Sequence, residues 1–131
     1  MKVFLFIICV LAAAGCQKGD IGPASVGLVG TWELRHYSGT IAGVDKDIPK
    51  GNGTLLKFSA DSTFQHFTNF KADNNGRFKI VKDGITWADE KHDAIYLGDS
   101  GDPNFLIVKA DSLIIGNTYA DGATSVYLRT K

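Results

Sequence analysis

The chain is poor in cysteine, methionine and proline, with two, one and three copies respectively in 131 residues. Both cysteines, Cys9 and Cys16, lie at the extreme N-terminus. The remainder can therefore form no internal disulfide, thiolate metal site or cysteine nucleophile. Net charge is also absent, with 14 basic residues against 14 acidic ones. No basic stretch is interleaved with aromatics, so nucleic acid is not an expected partner. An apolar run of about 20 residues, enough for a helix to cross a bilayer, is missing as well. Beyond residue 16 no apolar stripe at helical spacing is long enough to predict a helix.

What the N-terminus does have is the pattern of an export signal. In "MKVFLFIICVLAAAGC", Lys2 supplies the positive start, Val3 to Leu11 the apolar segment, and "AAAG" small residues before a cleavage point. The stretch Ala13-Ala14-Gly15-Cys16 resembles the lipobox of bacterial lipoproteins, although Ala13 stands where that motif usually has Leu. The resemblance implies a signal peptide over residues 1–15, removed with Cys9, and acylation of Cys16. Several acyl chains on one residue make a durable anchor, at about 0.8 kcal/mol per buried methylene. Residues 16–27, "CQKGDIGPASVG", read as lipidated Cys plus flexible tether. The "QKGD" after Cys16 resembles the short polar, acidic stretch that directs Bacteroidota lipoproteins to the cell surface. The expected location is thus the bacterial cell envelope, most simply the outer membrane, with the membrane engaged through Cys16 alone.

From residue 28 to 131 the pattern changes to short alternating runs separated by turn residues. "GTWELRHYSG" puts Trp32, Leu34 and His36 on one face and Glu33, Arg35 and Tyr37 on the other, a period of two that predicts a strand. "GTLLKFS", "TFQHFTNFK", "RFKIVK", "ITWADE", "AIYLGD", "FLIVKA", "LIIGNTY" and "TSVYLRTK" continue the series. The segments "ADNNG", "DG", "SGDPN", "DS" and "ADGA" read as their connectors. Eight or nine sequentially paired antiparallel strands either close on themselves or leave two edges, and closure removes the edges. The predicted fold is all-β, an antiparallel up-and-down β-barrel of about eight strands.

"LVGTWELRHYSG", "KFSADSTFQHF", "IVKADSLIIG" and the terminal "YLRTK" together resemble the lipocalin-like domains of small Bacteroidota lipoproteins, over roughly Leu28 to Lys131. Gly30-Thr31-Trp32 resembles the Gly-x-Trp signature of lipocalins. The resemblance implies that Trp32 plugs one end of the barrel and that Arg129 packs across it.

"GDSGDPNF", Gly98 to Phe105, differs by one residue at its start from the "GDSGGP" around the nucleophile of trypsin-like proteases. Its Asp, Ser, Gly, Pro and Asn are turn residues between two strand-like runs, and Asp102 would set a negative charge near a developing oxyanion. The chain is also about half the length a two-barrel protease needs. Ser100 therefore reads as a hairpin residue. His36, His66 and His92 have no metal-ligand spacing, and "DSGDPN" and "DNNG" depart from the long calcium loop. Asp89, Glu90 and Asp93 read as a solvated cluster in a longer connection. No metal, cofactor or catalysis is expected.

Binding remains. Phe58, Phe64, Phe78, Ile80, Trp87, Leu97, Ile107, Ile115 and Leu128 are candidate lining residues. On "TFQHFTNFK", Phe64, His66, Thr68 and Phe70 share one face, giving a wall that is half polar. A small, partly apolar ligand held by His36, Phe58, Phe64, His66, Phe78 and Trp87 is one expectation. The alternative is a filled barrel that meets an envelope protein through loops such as "GDSGDPNF", "IAGVDKDIPKGNG" or "ADEKHD".

Overall fold

The structure is a computed structural model that describes residues 27–39, 42–99 and 101–131. The predicted signal peptide, Cys16, most of the tether and Ser100 lie outside the described residues. Among the described residues nine strands follow one another: β1 (Gly30–Gly39), β2 (Val44–Asp47), β3 (Leu55–Phe58), β4 (Thr63–Thr68), β5 (Lys71–Trp87), β6 (Glu90–Leu97), β7 (Asn104–Lys109), β8 (Ser112–Gly116) and β9 (Thr124–Arg129). Every pairing is antiparallel, and β1 pairs with β9 as well as β3, so eight strands close into a barrel. Short β2 extends the same side of β1 beyond β3, through Gly39↔Val44 to His36↔Asp47. This extra strand sits inside what reads in the sequence as the loop "IAGVDKDIPKGNG". All its residues are exposed, so it carries no apolar pattern to betray it.

Two connectors read from the sequence are in fact strand. "ADNNG" lies within β5, as does Asp83-Gly84. The hairpin turns fall at Asn69-Phe70 and Ala88-Asp89, consecutive residues with positive φ (50° and 63°, then 51° and 63°). Positive φ at both central residues is what a two-residue hairpin needs to match strand twist. Gly76 has a packing duty instead of a turn duty. It pairs with Phe64, and a Cβ there would come within 3.2 Å of the Phe64 ring. Glu90 and Asp93, expected in a loop, belong to β6.

Two bulges decide which side chains face inward. In β1 the pairing with β9 shifts between Leu34 and His36, so Arg35 is the extra residue. Trp32 and Leu34 point into the barrel before it, and Tyr37, opposite Ser125, points in after it. His36 is thereby turned outward, contrary to the uninterrupted alternation of the sequence. In β5, Lys82, Asp83 and Gly84 stand opposite Asp93 alone, and the Asp83 N–H donates to Asp93 Oδ1 at 3.0 Å.

The core fills one end of the barrel. Leu28, Trp32, Leu56, Phe58, Phe64, Phe78, Ile95, Leu106, Leu113 and Tyr127 form one buried cluster, against which Leu34, Ile80, Leu97, Val108 and Ile115 pack in part. Phe58 and Phe78 meet edge to face at 5.1 Å. A second, smaller apolar cluster lies on the outer wall. Phe105, fully buried, pairs with Ala94 and Gly116, and Trp87 stacks on it at 4.3 Å and 17°. The β5 bulge re-aims the β5–β6 hairpin, and this cluster is what the hairpin covers.

Candidate functional site

The two ends of the barrel differ in chemistry because of which residues enclose them. At the end where β1 begins, Leu28 and Trp32 are fully buried, and the Trp32 indole N–H donates to the Leu28 carbonyl at 2.8 Å. The Arg129 guanidinium lies 4.1 Å from the centre of the Trp32 ring. Its Nη1 donates to the Val29 carbonyl and its Nη2 to the Gly27 carbonyl, at 2.9 and 2.6 Å. The first and last strands are thus clamped at a closed end. Chain direction places residue 27 and Lys131 at this end too.

At the opposite end lie the β4–β5 turn, the β6–β7 segment and the β8–β9 loop, since antiparallel neighbours reverse direction at each turn. The Tyr119 hydroxyl donates to an Asp102 carboxylate oxygen, joining the last two of these segments. Towards this mouth the inward face becomes polar and water-accessible. His66 pairs with buried Leu56, and Thr68 follows two residues later on the same face. Asp73, the extra residue of a small bulge opposite them, bonds His66 Nδ1 at 2.6 Å and accepts the Thr68 hydroxyl at 2.5 Å. The Thr68 hydroxyl and then the imidazole hold the Asp73 carboxyl below its ordinary range. Tyr37 and Ser125 also belong to the rim, both half-buried. The imidazole meets a carboxylate and the hydroxyl donates to that same carboxylate. The base-to-hydroxyl contact of a nucleophilic triad is therefore lacking in this cluster.

Of the predicted lining residues, Phe58, Phe64, Phe78, Ile80, Leu97 and Ile115 are in or against the core, and His66 is at the mouth. Three are not. Trp87 is on the outer wall against Phe105, Ile107 pairs with Ile114 on the outward face, and Leu128 pairs with Glu33 outside. Leu106, Val108 and Tyr127 face inward instead, one residue out of phase with that reading of β7 and β9, whereas Leu113 on β8 shares the inward face of Ile115. His36 is an outer-wall residue between two β2 carboxylates, with Nε2 at 2.9 Å from Asp45 and Nδ1 at 2.8 Å from Asp47. Phe70 is in the turn and exposed. His92 lies near Trp87 and Phe105, so the three histidines occupy three separate places. Among the described residues, no three His, Cys, Asp or Glu side chains form a metal-binding group.

Burial of Tyr127 deep in the lumen pushes its phenol above the usual value of 10.0. On the outside, Glu33, Arg35, Lys50, Leu128, Arg129, Thr130 and Lys131 line a groove of about 400 Å³. Composition gave no hint of it, because its cations come from three distant parts of a chain with no net charge. No protein-family model, curated protein or solved structure matches this chain.

Proposed function

We propose that the protein is a lipid-anchored envelope lipoprotein with a lipocalin-like barrel, which takes up a small, partly apolar ligand at the polar end of the lumen. The observation that carries this reading is the gradient along the lumen. Phe58 is 1% exposed and Leu113 fully buried, whereas Leu34, Leu97 and Ile115, though inward-facing, stay partly accessible beside a rim of His66, Thr68, Asp73 and Tyr37. An apolar floor under a few placed polar groups suits an amphipathic molecule, whose apolar part displaces water from the floor while the rim orients its polar part. Residue 27 is at the opposite end. A tether to an acylated Cys16 would therefore join the barrel at the end away from the mouth.

The test is native mass spectrometry, with extraction of small molecules, on the chain purified gently from its own host's envelope. A reproducible bound mass, lost when Tyr37→Trp crowds the rim, supports uptake at the mouth. A folded but ligand-free protein sinks the carrier reading. A second reading rests on Phe70 and Tyr119, which are 64% and 61% exposed on turns at the mouth end. Exposed aromatics of that kind suit contact with an envelope protein. Crosslinking from those two positions to one partner would favour it.

A further inference from the structure

We infer that the outer-wall groove between β9 and the β2–β3 connection is a binding site for a phosphate-bearing anion. Its cations are Arg35, Lys50, Arg129 and Lys131. They arrive from β1, from the connection and from the last residues of the chain, which the barrel closure alone brings together.

Most of that charge is uncommitted. Arg129 is engaged with Trp32, Val29 and Gly27, and its Nε lies 3.5 Å from Asp111. Arg35 donates only through Nε, to the Ile48 carbonyl at 3.1 Å. Its two terminal nitrogens have no partner among the described residues. Lys50 and Lys131 form no ion pair among them either. The one carboxylate side chain among the described residues lining the groove, Glu33, is buried and turned to other use. It accepts the Gly51 and Asn52 backbone N–H groups, at 2.5 and 3.1 Å.

The wall carrying Lys50 is pre-organised. Asn52 Nδ2 donates to the Leu34 and Pro49 carbonyls at 2.7 and 2.8 Å, and its Oδ1 accepts the Thr54 N–H at 2.8 Å. Ile48 N–H donates to the Arg35 carbonyl at 2.8 Å, so the Lys50 segment and the Arg35 bulge are fixed to one another. Donors that converge from separate elements fit a tetrahedral phosphate, with oxygens on several sides, better than a planar carboxylate that one arginine fork satisfies. Exposed Leu128 adds an apolar wall for the organic part of an ester.

Two sources could supply the phosphate. One is a soluble phosphate ester. The other is an anionic lipid headgroup, because the groove is at the end where residue 27 enters. A tether of residues 16–27 spans at most about 40 Å, so an acylated Cys16 would hold the groove within reach of the membrane surface. Neither source depends on the lumen binding anything.

The chain from residue 16, carrying Cys16→Ser so that no acyl group contributes, is titrated with inorganic phosphate and followed by amide NMR. Saturable shifts at Gly51, Asn52 and Thr130 are expected. The double variant K50Q/K131Q should weaken binding by about ten-fold or more, since two charge-assisted contacts are lost. The control K79Q/K82Q, on β5, should change it by no more than about two-fold. In a second arm the protein is sedimented with vesicles of phosphatidylglycerol in phosphatidylcholine. Sedimentation that inorganic phosphate competes away and K50Q/K131Q abolishes identifies a headgroup. Phosphate binding without sedimentation identifies a soluble ester. Absence of saturable shifts, or equal weakening in the control variant, overturns the inference.

Discussion

Arg129 and Trp32 face one another across the β1–β9 pairing, and the guanidinium covers the indole at 4.1 Å while two of its nitrogens hold the Gly27 and Val29 carbonyls. One side chain therefore seals the lumen, completes the closure of the barrel and fixes the entry of the chain. Its ion pair with exposed Asp111, at 3.5 Å, adds little beside these.

Replacing Arg129 should accordingly cost more than an ordinary surface substitution. Arg129→Ala removes a cation–π contact of about 0.5–2 kcal/mol and two charge-assisted hydrogen bonds. A loss of about 2–4 kcal/mol in urea unfolding is expected. Lys lacks the planar fork that reaches ring and carbonyls together, so Arg129→Lys should recover less than half of it. Asp111→Ala, by contrast, should stay within about 0.5 kcal/mol.

The acid side of the stability profile should carry a contribution from Asp73. The Thr68 hydroxyl and the His66 imidazole favour its ionised form in the folded chain, so its folded pKa lies below the unfolded 3.8. The stabilisation is then present above that value and is lost as pH falls through the folded pKa. Carboxyl NMR titration should find Asp73 depressed in the native chain and returned towards 3.8 in Thr68→Val. An unchanged Asp73 in that variant would show that the hydroxyl is not the main cause.

Much of the barrel was legible because its signals are local. The period of two in Gly30–Gly39 and the apolar runs of β7 and β8 follow from side-chain alternation, while the place of Arg129 over Trp32 is expected from the lipocalin resemblance alone. What was not legible depended on pairing across strands. A bulge at Arg35 reverses His36 and Tyr37, yet no residue type at 35 announces it. Asn75-Gly76 and Asp83-Gly84 look like hairpin turns, but the first gives way to the Phe64 ring and the second lies in a bulge of β5. Asn69-Phe70 and Ala88-Asp89 make the turns although Phe and Ala seldom adopt positive φ. The basic groove was invisible for the same reason, since only closure brings residue 35, residue 50 and the last three together.

The alkaline side should report on Tyr127. Its phenol is buried among lumen residues, and burial disfavours the phenolate, so the folded pKa stands above the unfolded 10.0. That contribution is fully present below 10.0 and is lost as pH rises through the folded value. Tyr127→Phe should flatten the alkaline fall in thermal midpoint while leaving the neutral value within a few degrees. An identical alkaline limb in that variant would assign the fall to other groups.

The outer-wall cluster offers a test that separates it from the lumen. Trp87 lies on Phe105 at 4.3 Å and is 38% exposed, whereas Trp32 is fully buried, so the two tryptophans report on different places. Phe105→Ala removes the stacking surface beneath Trp87. It should destabilise by about 3–5 kcal/mol and shift the Trp87 part of the emission to the red. Trp32 should stay unshifted while the barrel remains folded, and Trp87→Phe identifies its share. His92 belongs to the same cluster, and its Nε2 is a buried side-chain nitrogen with no hydrogen-bond partner among the described residues. Leaving such an atom unpaired costs about 1–3 kcal/mol, which an apolar side chain of similar volume avoids. His92→Phe should therefore raise stability by about 1 kcal/mol, since part of the gain goes to fitting the larger ring. A fall instead would mean that the imidazole finds a water partner, and that the hairpin tip is wetter than its packing on Phe105 implies.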